Sequence, residues 1–337
     1  MSVAEANESE TSRPITSGVV GKGWTVADIP SQAGRRVLIT GANSGIGYYA
    51  ALELARKGAH VLLGCRDQAK GDAALERIRS EVPGAIVDVV VIDLASLKSI
   101  CTFVGQELER GIPLDLLINN AGVMAPKNRQ KTADGFELQF GTNVLGHFAL
   151  TALLLPKLER AAESKAQRPR VVTLASIAHK NGRLNFEDLQ SVKSYSPMGA
   201  YQQSKLADLM FAFELDQRLR AAGAPKSEIM SVAAHPGVAG TSLFVGRDRP
   251  AVERLVRRGL RVGFNAFLNT EAAGALPTLF AATADDAVSG GYYGPQGFRE
   301  MRGGDVGPAE VARQARDQAA ATRLWNECER LTGISLL

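Results

Sequence analysis

A chain of 337 residues with 45% hydrophobic and 22% charged content has a globular make-up, enough for one large domain or two small ones, and excludes disordered, collagen-like and coiled-coil classes. Lysine plus arginine is 39 against 35 acids, so the net charge is +4; the pI near 9.0 overstates surface basicity, and bulk charge gives no support for nucleic-acid binding. Three cysteines without a CxxC pair, and four histidines, indicate neither a disulfide framework nor a metal site and fit a reducing compartment.

Residues 1–33 are rich in Ser, Glu, Thr and Gly, with WTVADIP as the one apolar stretch, and read as a flexible arm whose polar, acidic start is no signal peptide. From Arg36 short β-branched runs alternate with amphipathic stretches: RVLIT, a helix through Tyr48 to Lys57, HVLLGC, and a charged helix from Gln68 to Glu81. Then come IVDVVVID, a helix from Leu97 to Glu109, LDLLINN, a helical stretch around Phe140 to Glu163, RVVTLAS, a helix from Ala200 to Ala222, and IMSVAAHPG. The tail from Pro308 to Leu331 reads as a final helix. Continuous apolar strands between helices predict an α/β, doubly wound, mostly parallel sheet with helices on both faces, because each right-handed crossover sets its helix on one side. No Pro- or Ser-rich linker interrupts residues 36–295, so residues 34–337 read as a single domain. The longest apolar runs, such as FALTALLLP, fall short of the ~18 residues of a membrane span, so the expected location is cytoplasmic, with no integral membrane segment.

Between the first strand and the first helix stands Thr40-Gly41-Ala42-Asn43-Ser44-Gly45-Ile46-Gly47. Its glycines let backbone approach a phosphate at a helix N-terminus, where free N–H groups and the helix dipole favour an anion. Gly41 takes the tight turn, Gly45 lacks the Cβ that would block a pyrophosphate, and Gly47 lets the helix pack on the strand; Asn43, Ser44 and Ile46 complete the site, Ser44 with a hydroxyl for the phosphate. The second strand ends in Cys65-Arg66-Asp67, where a fold that prefers NAD places an acid against the ribose 2′-hydroxyl. A guanidinium at Arg66 pairs instead with a 2′-phosphate, so NADP(H) is the expected cofactor; the other reading of Arg66 is a solvated helix-start charge. Asp67 reads as the N-cap of the next helix. Asp93, followed by Leu94, lies one strand further along the carboxyl edge, placed either to bond an adenine amino group or to cap the helix starting near Ser96. Asn120, Ala121 and Gly122 close the fourth strand with small and amide residues, which read either as a backbone lying against a ribose or as an Asn-rich turn.

Tyr201 and Lys205 stand four residues apart in a helical stretch and share a face. A free phenol has a pKa of ~10, and a nearby cation favours its ionised form, which gives such a pair a use in proton transfer at neutral pH. Taken alone the spacing is common by chance; its context is Ser176, ending RVVTLAS, and Asn143, in GTNVLGHF, both at positions a doubly wound sheet brings to its carboxyl edge. Ser176 reads either as a donor to a substrate carbonyl or as a turn hydroxyl. Asn143 reads either as the holder of a water that links Lys205 to solvent or as an amide stabilising a helix kink.

TGANSGIG, NNAG, Asn143, the serine after the fifth strand, YxxxK, and His235-Pro236-Gly237 with Thr241 together resemble the short-chain dehydrogenase/reductase family over about residues 33–300. The resemblance implies a Rossmann fold of seven strands in the order 3-2-1-4-5-6-7 and hydride transfer at a nicotinamide. It implies the tetrad Asn143, Ser176, Tyr201 and Lys205, with Tyr201 and Lys205 also meeting the cofactor, and Pro236, Gly237, Val238 and Thr241 in the segment at the nicotinamide carboxamide. Assembly as a homodimer or homotetramer through the helices carrying Asn143 and Tyr201 is common in the family and varies in the group that this chain resembles. That group is the retinol dehydrogenase-like one with its bacterial relatives, through GCRD, LGHF and the long gap from Ser176 to Tyr201, whose inserted piece GRLNFEDLQSVKSYSPMG is expected as a strand or loop beside the site.

Residues 242–268 carry an apolar face and six arginines where the family places its substrate lid, and they read either as a lid over a lipophilic substrate that touches membrane or an acidic group or as a solvated arginine face. The expected function is NADP(H)-dependent interconversion of a carbonyl and an alcohol on a small or lipophilic organic substrate, with Tyr201 as general acid/base. Two other readings stand beside it: a nucleotide-binding redox sensor without turnover, and a reductase of carbon-carbon double bonds.

Overall fold

Side chains alternate across an extended strand, and this decides which helices each strand meets. In β1 (Arg36–Thr40), Leu38 joins one buried cluster while Val37 and Ile39 join the other; in β4 (Leu116–Asn119), Leu117 takes the first side and Leu116 and Ile118 the second. Both faces therefore need cover. The computed structural model describes residues 23–164, 167–238 and 269–337. Within them follow α1 (Gly45–Arg56), β2 (His60–Cys65), α2 (Gln68–Glu81), β3 (Val87–Val91), α3 (Leu97–Arg110), β4, α4 (Leu138–Glu163), β5 (Arg170–Leu174), α5 (Pro197–Ala221), β6 (Met230–Ala234), α6 (Glu271–Thr283), β7 (Tyr292–Pro295), β8 (Val306–Pro308) and α7 (Gln318–Thr332).

The sheet runs β3-β2-β1-β4-β5-β6-β7-β8, parallel until the antiparallel last pair. One strand is thus added to the expected seven: Val306–Pro308 pairs with Tyr293–Pro295 at the edge, where a proline without an N–H is tolerated. The final helix accordingly starts later than Pro308, at Gln318, where Asp317 accepts the Ala320 N–H at 3.0 Å. Helix α5 starts earlier than expected, with Pro197 in its first turn and the Ser196 hydroxyl accepting the Gly199 N–H. The inserted piece is a loop with turns and no strand, and its last three residues open α5.

Of the arm expected over residues 1–33, residues 1–22 lie outside the described residues, and residues 23–33 are docked rather than free. The apolar WTVADIP stretch is the cause: Trp24 meets Phe280 edge-on at 5.3 Å, Ile29 is buried, and Lys57 Nζ donates to the Ala27 carbonyl at 2.8 Å. The lid expected over residues 242–268 lies outside the described residues.

Helix α4 is long and apolar enough to cross a membrane by length and composition, with a mean hydropathy of 1.3, yet 89% of that apolar stretch is buried inside the fold. It contains a π-helical turn, Gly141–Leu145. An ion cluster anchors it to β1 and α3: Glu107 accepts from Arg36 Nη1 at 2.6 Å and Lys157 Nζ at 3.2 Å, with all three side chains at least nine-tenths buried. Removing the shared carboxylate strands two buried cations. Glu107→Ala should lower the unfolding free energy by about 3–5 kcal/mol in a urea titration; a loss under 1 kcal/mol would show that the cluster behaves as a surface ion pair.

Candidate active site

The turn after β1 is shaped for close backbone approach. Gly41 and Gly45 adopt φ of +67° and +60°, a region that L side chains rarely enter. Gly47 is required by space instead: a Cβ there would meet Asn120 Nδ2 and come within 2.6 Å of the Gly41 carbonyl oxygen. Asn120 Nδ2 donates to the Thr40 carbonyl at 2.6 Å, locking the end of β4 against the end of β1. Ser44 is the N-cap of α1 but makes no side-chain bond to the helix, so its hydroxyl and the first-turn N–H groups are available to an anion.

This turn forms one wall of a cavity of about 790 Å³ along the carboxyl edge of the sheet. Gly41, Asn43, Ser44, Gly45, Ile46 and Gly47, after β1, line its middle, next to Asn120, Ala121 and Gly122 after β4. Arg66, Asp93 and Leu94, after β2 and β3, line one end, and Tyr201, Lys205 and Pro236 the other. Asp67 caps α2 as expected, accepting the Lys70 N–H at 3.2 Å. Asp93 does not cap α3, since Ser96 does so through its hydroxyl. Its Oδ1 accepts the Ala95 N–H at 3.0 Å, and its Oδ2 has no protein donor among the described residues. Sequence reading found Arg66 but missed Lys70 and Arg77, which join it on the rim and stand seven residues apart on one face of α2; that helical spacing was the available signal. Lys70 pairs with Asp67 at 3.1 Å, and Arg77 lies over the Tyr48 ring at 4.1 Å.

At the far end Lys205 is buried and donates to the Leu174 carbonyl at 2.7 Å and to Asp208 Oδ2 at 2.9 Å, leaving one N–H for the cavity. Asp208 was not singled out from the sequence. Its position three residues beyond Lys205, within the turn that follows, was the signal. The Tyr201 hydroxyl has no protein partner among the described residues and faces the same cavity. Asn143 lies in the π turn, behind the cavity wall. Its Oδ1 accepts the Val123 N–H at 2.8 Å, and its Nδ2 donates to the Val123 carbonyl at 3.0 Å and to Ser204 Oγ at 2.9 Å. Both amide protons are spent on Val123 and Ser204, so a water relay through Asn143 has only carbonyl oxygen to use. Ser176 follows Ala175 at the end of β5; its Oγ accepts the Ala178 N–H at 3.2 Å, which keeps its own proton free to donate. Gly237 and Val238 extend from Pro236 and are fixed by the Val238 N–H donating to the Met301 carbonyl at 2.8 Å, while Thr241 lies outside the described residues.

The family model for short chain dehydrogenases matches residues 35–249. The chain belongs to this family. Retinol dehydrogenase 13 of Mus musculus is 40% identical over 315 residues, spanning 91% of this chain and 87% of that protein. Polyprenol dehydrogenase of Mus musculus is 41% identical over 306 residues, spanning 90% and 86%. The crystal structure of an uncharacterised protein from Mycobacterium paratuberculosis shares the fold with a TM-score of 0.73 at 41% identity, covering 94% of this chain and 100% of that one. As a short-chain dehydrogenase of the retinol dehydrogenase-like group, the protein is an oxidoreductase of the alcohol and carbonyl pair that binds a nicotinamide dinucleotide.

Three histidines of this short-chain dehydrogenase, His147, His179 and His235, are buried and neutral. A carbonyl only accepts, so the His147 contact to the Asn143 carbonyl at 2.8 Å puts the proton on Nδ1, and Nε2 accepts from the Thr40 hydroxyl at 2.9 Å. At His235 the Gly237 N–H donates to Nδ1 at 3.2 Å, so the proton sits on Nε2. Burial pushes the His147 and His235 imidazoles down to about 3 and lowers His179 as well, and it pushes the Asp208 carboxyl up to about 6 against the pull of Lys205. The signs differ. The stability from the histidines is complete above their unfolded value of 6.5 and is lost as pH falls toward 3, whereas Asp208 gains stability as pH falls from 6 toward 3.8. Between them, unfolding takes up at least two protons on the histidines and releases one from Asp208. Unfolding free energy from urea titrations should therefore fall by about 1 kcal/mol per pH unit between about pH 6 and pH 4; a flat or rising profile would contradict the neutral, buried imidazoles.

Proposed function

We propose that the protein is an NADP(H)-dependent oxidoreductase that interconverts an aldehyde or ketone and an alcohol on a lipophilic small molecule, with Tyr201 as general acid/base. The observation that carries this reading is the shared cavity wall: an unpartnered Tyr201 hydroxyl one turn from the pinned Lys205 ammonium, in the cavity that the uncapped α1 N-terminus also lines. The residues present suit the cofactor. The first turn of α1 would hold the pyrophosphate, Asn120, Ala121 and Gly122 would lie against a ribose, and Asp93 would accept from the adenine amino group. Arg66, with Lys70 and Arg77 beside it, would take a 2′-phosphate, since the acid nearest them, Asp67, is already bound to Lys70. Pro236, Gly237 and Val238 would meet the nicotinamide, which when bound supplies or accepts a hydride.

The chain's own groups handle the proton. Ser176 keeps an O–H to donate to the substrate carbonyl oxygen, and Tyr201 delivers its hydroxyl proton to that oxygen in reduction and takes it back in oxidation. Lys205, through its free N–H, favours the ionised phenol and holds a cofactor hydroxyl. The relatives named for retinol and polyprenol, both long apolar alcohols, support a lipophilic substrate.

Two variants test the reading. Tyr201→Phe should retain NADPH binding by fluorescence titration and lose carbonyl turnover by at least about 100-fold across aldehydes and ketones; turnover equal to wild type would remove the acid/base role. Arg66→Asp should lower the NADPH-to-NADH efficiency ratio by at least about tenfold, roughly one charge-assisted bond, and an unchanged ratio would overturn the 2′-phosphate assignment.

A further inference from the structure

Lys205 does not act as an isolated cation. Asp208 Oδ2 lies 2.9 Å from its Nζ, and the two side chains are 4% and 7% exposed. With a second N–H on the Leu174 carbonyl, the ammonium is held in one orientation with one proton directed toward the cavity. The surroundings leave the pair to itself. From α7 the Cys328 thiol faces Asp208, pushed well up by burial and by the carboxylate, hence neutral. From α4 the neutral His147 faces Lys205. β5 presents the Leu174 carbonyl, and Lys180 on the turn after Ser176 is engaged by Glu300 and Glu310. On α5 itself Glu214 and Asp216 are taken by Arg218 and Arg220.

A carboxylate in contact with an ammonium turns a unit charge into a short dipole, whose potential falls off much faster with distance. One turn back along the same helix, Tyr201 therefore feels only part of the lysine charge. We propose that Asp208 is a positioning residue of the reaction: its carboxylate fixes Lys205 and limits the positive potential at Tyr201, and so sets the pH at which the phenol gives up its proton. This inference rests on Tyr201 being the acid/base. It extends that assignment to a residue outside the tetrad, and burial holds the Asp208 carboxyl near 6, within a working range of pH.

The test is a tyrosinate difference titration on the complex with saturating NADP+ or NAD+, in which the spectrum of Tyr201→Phe in each background isolates the Tyr201 step. Asp208→Asn, an uncharged isostere, should move that step about one pH unit lower, and Asp208→Glu should return it close to the wild-type position. Asp208→Ser gives the same reading should the asparagine variant fail to fold. A step that stays put in the uncharged variants, with any loss confined to Tm or cofactor affinity, would reduce Asp208 to a structural role and overturn the proposal. Failure of the underlying reading is separate: it would show as full carbonyl turnover in Tyr201→Phe, whatever the titration does.

Discussion

The Thr40 hydroxyl joins the nucleotide end of the site to its chemical end. It accepts the Asn120 and Ala121 N–H groups at 2.9 and 3.0 Å, closing β4 onto β1, and donates to His147 Nε2 at 2.9 Å. His147 then donates from Nδ1 to the Asn143 carbonyl, Asn143 Nδ2 donates to Ser204 Oγ, and Ser204 Oγ donates to the Tyr201 carbonyl. One chain of neutral, buried hydrogen bonds thus runs from the glycine turn to the helix that carries Tyr201 and Lys205. Every link is saturated, and a buried polar chain in that state rigidifies the groups that it joins. The imidazole takes part only while neutral, because a protonated ring would lose its acceptor for Thr40.

Charge is arranged in the opposite way along the cavity. At the nucleotide end Arg66, Lys70 and Arg77 gather on a rim open to solvent, where cations keep their hydration until a ligand replaces it. At the chemical end a single ammonium is buried, and a buried ion needs a partner and hydrogen bonds in place. Asp208 and the Leu174 carbonyl supply both. The two ends can therefore serve different tasks: a diffuse cationic rim suits recognition of phosphate, and a fixed pair suits control of one proton.

Several parts of this were legible in the sequence for stated reasons. Strand-helix alternation depends on local composition, and Thr40–Gly47 announces itself because turns with positive φ demand glycine. Tyr201 and Lys205 share a face by helix periodicity alone. Other parts were not. Asn143 was read with two roles, because an amide reports nothing of its partners; its bonds to Val123 and Ser204 come from segments distant in the chain. Val306–Pro308 carries no strand signal, being three residues with a glycine and a proline, and becomes a strand only because Tyr293–Pro295 offers an open edge. WTVADIP was the one apolar stretch in a polar leader, and its docking on Phe280 depends on a surface built more than two hundred residues later.

By itself the sequence determined the α/β alternation, the anion-binding turn and the residue types able to move a proton, since all of these follow from local backbone preference and helix or strand period. Only the tertiary structure decided which donors remain free and which are consumed. Asn143 is committed, Ser176 keeps its proton, and Lys205 has one N–H left, because hydrogen-bond capacity is allotted by contacts between segments far apart in the chain. The same holds for charge: burial, not residue identity, makes His147 and His235 neutral and gives Lys205 its carboxylate partner.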